Sequence, residues 1–170
     1  MFKNTIFRRM TALVLTLALA AAAALPGLAV YPMPIQTASE TEAVYLFNAD
    51  TGKTILNQNA DQQQYVASLT KLMTALLLLE SGKDLNGEVT VPTALTQEFR
   101  DIQNANGTTM GLRIGETVRR IDLLNAMLIV SANDAASVIA YDVGGSVLDF
   151  VKQMNARAQE LGCTGTNFTC

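Results

Sequence analysis

The chain has 170 residues, with 12 Lys or Arg, 15 Asp or Glu and no His, which gives a formal net charge of −3. This length suits one modest domain or part of a larger one. The acidic balance argues against nucleic-acid binding, and two Cys without any His argue against a zinc site. The absence of His also excludes a Ser-His-Asp triad within the chain.

The N-terminus has the pattern of an export signal. Three basic residues, Lys3, Arg8 and Arg9, precede a near-continuous apolar run over 10–25, and Pro26-Gly27 ends it. The run is shorter than the roughly 20 residues that span a membrane comfortably. We therefore expect a cleaved signal peptide at 1–29 rather than an uncleaved anchor. A flexible leader is expected at 30–41, and the mature protein is expected outside the cytoplasm.

The mature chain begins with a predicted hairpin and a predicted helix. Two β-rich runs within 43–58 flank the turn residues 48–52, a pattern typical of an antiparallel hairpin. Apolar side chains at 69, 72, 73, 76 and 77 follow helical spacing. They predict a central helix that starts near Ser68, ends at Ser81-Gly82 and buries Leu69, Leu72, Met73, Leu76 and Leu77.

The remaining elements are expected in the following order: an extended piece at 89–92, a surface loop at 103–111, a helix with Thr117 as its N-cap, a helix from Asp134 to Gly144-Gly145, and an amphipathic helix at 146–161. Cys163 is expected to be free and buried. A disulfide between Cys163 and Cys170 is the less favoured alternative.

Two short motifs carry potential chemistry. Ser68 precedes Lys71 by three residues, so both side chains lie on nearly the same face of a helix. A Ser nucleophile needs a base, and a Lys serves as one if burial or a helix N-terminus lowers its pKa. The second motif, Ser131-Ala132-Asn133, lies between two predicted helices. Taken alone, each motif is better explained without chemistry, with its serine as an N-cap.

Together the motifs resemble those of the penicillin-recognising serine acyltransferases. The runs 44–58, 67–75, 131–136 and 150–155, and then Leu161-Gly162, are similar to the D-alanyl-D-alanine carboxypeptidases, the low-molecular-mass penicillin-binding proteins. The resemblance extends from about Glu42 to Thr169. It implies an α/β fold of the β-lactamase and penicillin-binding-protein type, an antiparallel sheet flanked by helices plus a helical lobe.

The resemblance also implies roles for four residues. Ser68 would attack the bond between the terminal D-alanines of a peptidoglycan stem peptide, with Lys71 as base and Ser131 as proton shuttle. Asn133 would bind the substrate, and no metal or cofactor is implied. β-Lactam antibiotics would acylate Ser68. A DD-endopeptidase, a class A-like β-lactamase and a catalytically inactive wall-binding module are the alternatives.

The sequence departs from the family pattern at two points, and the second concerns completeness. Val66 stands where the family has proline, and no Lys-Thr-Gly or Lys-Ser-Gly follows Asn133. We expect 42–170 to be a partial domain that stops before this third motif, so that the 170-residue chain alone is inactive or nearly so. Any C-terminal attachment to a membrane surface would lie beyond Cys170.

Overall fold

The computed structural model describes residues 40–169. The chain divides into two compact units, residues 1–61 and 62–170. The predicted signal peptide, nearly all of the predicted leader, and Cys170 lie outside the described residues. Within residues 40–169, no helix is both long enough and apolar enough to cross a bilayer.

The described part of the first unit is a hairpin. Strand β1 (Val44–Asn48) pairs antiparallel with β2 (Lys53–Gln58), as the sequence predicts. In the turn, the Thr51 N–H donates to Asn48 Oδ1 at 2.8 Å. Gly52 has a φ of 68° and donates its N–H to the Asn48 carbonyl at 3.0 Å. This left-handed position is one that glycine adopts without steric cost.

The described part of the second unit contains five α-helices and a two-stranded sheet. They are α1 (Thr70–Glu80), β3 (Glu88–Thr90), α2 (Thr96–Asn104), β4 (Thr117–Arg119), α3 (Arg120–Ile129), α4 (Asn133–Gly144) and α5 (Val147–Glu160). Helix α4 packs against the other four helices. Its Val138 is fully buried in the core, together with Leu78 of α1 and Leu123 of α3. The start of α4 is therefore held firmly by its surroundings.

The buried face of α1 differs from the prediction. Thr74, Ala75 and Leu78 are buried, whereas Leu69 is 65% and Leu72 is 61% exposed. Met73, Leu76 and Leu77 are only partly buried. Residues 75–79 are apolar without a break, so their spacing fits more than one face of the helix. Packing against α4 determines which of these faces is covered.

Two further expectations are wrong. Thr117 lies in β4 rather than capping a helix, because Val118 pairs with Val89 in the sheet of β3 and β4. This pairing joins residues distant in the sequence, which local patterns do not reveal. Cys163 is exposed rather than buried, because it follows the end of α5 in a turn. Its predicted alternative pairing with Cys170 falls on a residue that is not described.

A partly buried ion cluster joins α3 to α4. The Arg120 guanidinium donates to both carboxylate oxygens of Asp142, at 2.7 and 3.0 Å, and Lys83 Nζ lies 3.4 Å away. Burial alone would raise the pKa of Asp142, but Arg120 and Lys83 lower it overall. Two-pronged Arg–carboxylate pairs fix orientation as well as distance. The cluster therefore fixes the C-terminal half of α4.

Two adjacent leucines of α1 provide a matched test of this packing. Leu78 is 0% exposed and Leu79 is 56% exposed. Leu78→Ala should lower the free energy of unfolding by about 2–5 kcal/mol, because it leaves a cavity among α1, α3 and α4. Leu79→Ala should change it by less than about 0.5 kcal/mol. Urea denaturation followed by circular dichroism measures both, and equal losses would contradict the packing described here.

Candidate active site

Ser68 lies in a short 3₁₀ turn, Ala67–Leu69, immediately before α1. Ala67 has a φ of 46°, in the left-handed region. For a residue other than glycine this costs about 1–2 kcal/mol. No side chain caps the start of α1, so the N-cap explanation of Ser68 is wrong. The turn instead leaves the Ser68 hydroxyl exposed, one helical turn before Lys71.

Ser131 lies between α3 and α4, also with a left-handed backbone, at a φ of 60°. The next residue, Ala132, is 0% exposed and donates its N–H to the Ala126 carbonyl at 3.2 Å. The Asn133 N–H donates to the Thr108 carbonyl at 2.8 Å. The N-cap of α4 is Ala132, and no side chain caps this helix start. The Ser131 hydroxyl is thus turned away from capping and toward α1.

The four side chains singled out from the sequence meet at the starts of α1 and α4. Lys71 Nζ lies 2.7 Å from Asn133 Oδ1, 3.0 Å from Ser131 Oγ and 3.4 Å from Ser68 Oγ. The two serine hydroxyl oxygens are 2.6 Å apart. One connected hydrogen-bond network therefore joins an exposed hydroxyl, an amine, a second hydroxyl and an amide.

The network accommodates both protonation states of Lys71. An ammonium has three N–H donors, one for each of its neighbours Ser68, Ser131 and Asn133. A neutral amine would donate to Asn133 and Ser131 and accept the hydroxyl proton of Ser68. The same contacts thus serve before and after a proton moves from Ser68 to Lys71.

Burial lowers the pKa of Lys71 from its usual 10.5. Desolvation disfavours the ammonium, and the positive end of α1 acts in the same direction. Within residues 40–169, no carboxylate forms an ion pair with Lys71. All its hydrogen-bond partners in the network are uncharged. The environment therefore shifts the equilibrium toward the neutral amine that general-base chemistry requires.

Asp134, expected from the sequence only as the start of a helix, also has a structural role. This residue is 2% exposed, and its carboxylate accepts hydrogen bonds from the N–H groups of Met110, Gly111, Leu112 and Ala135 at 2.9–3.0 Å. These bonds attach the loop after α2 to the start of α4, beside Asn133. Because they join residues up to 24 positions apart, no local pattern predicts them.

The network opens into a cleft of about 520 Å³ within the second unit. Ser68, Lys71 and Asn133 line one part, and Glu98, Ser137 and the apolar side chains of α5 line another. Phe168 forms part of the wall. Its N–H donates to Asn155 Oδ1 at 2.7 Å, and its carbonyl accepts from Asn155 Nδ2 at 2.9 Å. Across residues 40–169, no three Cys, Asp or Glu side chains group so as to hold a metal ion. The cleft suits an organic molecule with both polar and apolar parts.

The family assignment follows from comparison of the chain with known proteins. The family model described as D-alanyl-D-alanine carboxypeptidase matches residues 32–170. The chain belongs to this family. The predicted fold class is confirmed as well, since similar solved structures are DD-peptidases of the penicillin-binding type.

Three relatives show the range of names within the family. The D-alanyl-D-alanine carboxypeptidase DacF of Bacillus subtilis is 33% identical over 136 residues, covering 78% of this chain and 33% of the relative. The D-alanyl-D-alanine endopeptidase of Pseudomonas aeruginosa is 34% identical, covering 80% and 42%. The crystal structure of the Streptomyces K15 DD-transpeptidase gives a TM-score of 0.66 at 30% identity, covering 74% and 49%. The chain thus spans between a third and half the length of these proteins.

The lowered pKa of Lys71 leads to a direct test. In a 13C NMR titration of the Lys Cε resonances, with Lys71→Arg used for assignment, the Lys71 midpoint should fall below 10.5. At pH values between that midpoint and 10.5, the unfolded chain still holds the Lys71 proton, whereas the folded chain has released it. The free energy of unfolding should therefore rise with pH between the Lys71 midpoint and 10.5, and Lys71→Met should remove this rise. A midpoint at or above 10.5 would contradict the site as described.

The buried carboxylate of Asp134 provides a second test. Asp134→Ala should lower the free energy of unfolding by about 2–4 kcal/mol, because buried N–H groups lose their acceptor. The control is Asp101→Ala, an exposed acid on α2 bonded to Gln97, which should cost less than about 0.5 kcal/mol. Urea denaturation measures both. A similar small loss for the two variants would show that the carboxylate does not hold the loop.

Proposed function

We propose that this chain carries the acylation centre of a serine-type D-alanyl-D-alanine carboxypeptidase, with Ser68 as nucleophile. The observation that carries the proposal is the position of Lys71 Nζ, in contact with Ser68, Ser131 and Asn133 at once. A serine becomes a good nucleophile when a positioned base takes its proton. A partly buried lysine with neutral partners supports that role.

The proposed reaction proceeds in two stages. Ser68 Oγ bonds to the carbonyl carbon between the terminal D-alanines while its proton moves to Lys71 Nζ. The tetrahedral intermediate collapses, the C–N bond breaks, and the departing D-alanine nitrogen takes a proton from Lys71 through Ser131. Water then hydrolyses the Ser68 ester. Asn133 uses its amide oxygen on Lys71, which leaves its NH2 group to donate to the substrate.

The proposed substrate is a peptidoglycan stem peptide ending in D-Ala-D-Ala, which places the working protein at the bacterial cell wall. Export through the signal at 1–29, followed by the leader 30–41 and a partial domain at 42–170, is consistent with this location. β-Lactam antibiotics would acylate Ser68, because their strained amide mimics the D-Ala-D-Ala bond. Attachment to the membrane surface through a later segment of the protein remains a prediction from the family resemblance.

A DD-endopeptidase is the second candidate. The Pseudomonas aeruginosa relative carries that name and is as similar to this chain as the Bacillus subtilis carboxypeptidase. The same four side chains would act on a cross-linked peptide instead of a linear one. Release of free D-alanine from a linear pentapeptide supports the carboxypeptidase, whereas cleavage of cross-linked dimers alone supports the endopeptidase.

Labelling with a fluorescent penicillin tests the nucleophile. In the protein expressed from its full reading frame, Ser68→Ala should abolish labelling, and Lys71→Ala should slow it at least about 100-fold through loss of the base. Ser81→Ala is the matched control, an exposed serine at the end of α1, and it should label normally. The readout is fluorescence on a denaturing gel after timed exposure.

The 170-residue chain should be labelled weakly or not at all in parallel, since the expected third motif is not in it. One missing oxyanion donor typically costs about 10²–10³ in rate. Strong labelling of this chain would show that the motif is dispensable. No labelling of the protein from its full reading frame would overturn the enzyme assignment and favour a wall-binding module.

A further inference from the structure

Glu98 is a carboxylate in the proposed active-site cleft that the proposed reaction does not use. It lies in the first turn of α2, and the Ser137 hydroxyl donates to it at 3.2 Å. Both residues line the same cleft as Ser68 and Lys71. Ser137 follows Asn133 by four residues on α4, so their side chains lie on one face of the helix, about 6 Å apart. Glu98 is therefore close to the reacting groups but not part of their network.

The charge of Glu98 has no cationic partner in the described part of the chain. None of the ion pairs among residues 40–169 includes it. Asp142, also partly buried, instead has Arg120 and Lys83 beside it. Asp134, fully buried, has four N–H groups. Glu98 has one neutral hydroxyl and faces an open cleft, so it can accept hydrogen bonds from a bound cation.

We propose that Glu98, oriented by Ser137, is a subsite for a positively charged group of the substrate. This inference rests on the proposed function, and it specifies the substrate class as peptides that carry an ammonium group. The departing D-alanine has its nitrogen in the scissile amide, so the ammonium belongs to the acyl side of the peptide. An ammonium at this position donates to the Glu98 carboxylate and is bound more tightly than a neutral group of similar size.

A different role for Glu98 would be activation of the water that hydrolyses the acyl-enzyme. That role is independent of substrate charge, because the carboxylate would act on water at the Ser68 ester whichever peptide had been bound. Comparing two peptides that differ only in one charge therefore separates the two roles. Nα-acetyl-L-Lys-D-Ala-D-Ala carries the ammonium, and its Nα,Nε-diacetyl form does not.

The experiment measures equilibrium binding of both peptides by NMR titration. The protein is the one expressed from its full reading frame, and it carries Ser68→Ala so that no turnover takes place. The cationic peptide should bind roughly five- to tenfold more tightly than its diacetyl form, the size expected for one charge-assisted contact. Adding Glu98→Gln should reduce the ratio of the two affinities to about one. Asp101→Asn, which removes an exposed acid from the same helix, should retain it. Raising the salt concentration should weaken the preference for the cationic peptide only in proteins that retain Glu98.

Equal binding of the two peptides, no binding of either, or a preference that survives Glu98→Gln would each overturn the subsite. If Asp101→Asn abolished the preference for the cationic peptide as fully as Glu98→Gln, the preference would come from the net charge of the protein and not from Glu98. Failure of the proposed function appears separately, as penicillin labelling that does not depend on Ser68. Because binding is measured without turnover, the subsite is tested even if the chain is inactive.

Discussion

The hydrogen bond of 2.7 Å between Lys71 Nζ and Asn133 Oδ1 is the contact on which the candidate site depends. It joins the start of α1 to the start of α4, so the positions of both serines relative to the amine follow from the packing of two helices. Helix α4 packs against every other helix described in its unit. The apolar core therefore fixes where the two helix starts lie, and the Lys71 side chain completes the geometry by bonding to Asn133. Left-handed backbone at Ala67 and Ser131 is the conformational cost of bringing the hydroxyls together.

The two buried or partly buried acids of α4 are paired in a way that leaves Lys71 free of a carboxylate partner among residues 40–169. The carboxylate of Asp134 is satisfied by backbone N–H groups, and that of Asp142 by Arg120 and Lys83. Neither has to pair with Lys71, which keeps uncharged partners and a lowered pKa. A carboxylate in contact with this lysine would stabilise the ammonium and oppose its action as a base. Among residues 40–169, Glu98 is the acid that lines the cleft, and we therefore assign it to binding the charge of the substrate.

Much of this arrangement was predictable from sequence because its signals are local. The hairpin, the Ser-x-x-Lys spacing and the starts of α1, α4 and α5 all depend on residues a few positions apart. The pairing of Val118 with Val89 and the bonds from residues 110–112 to Asp134 connect distant segments, so the sequence pattern did not reveal them. The buried face of α1 was missed for another reason. Its apolar residues are so continuous that periodicity fits more than one face, and only packing against α4 distinguishes them.

The role proposed for Lys71 is that of the base for Ser68. The most direct test compares two pH curves measured on the same protein: the rate of Ser68 acylation by a β-lactam and the 13C NMR titration of Lys71. The acylation rate should rise with pH, and its midpoint should coincide with that of the Lys71 titration, below 10.5. An acylation rate that stays constant across the Lys71 titration would contradict the claim, whatever the distances in the network.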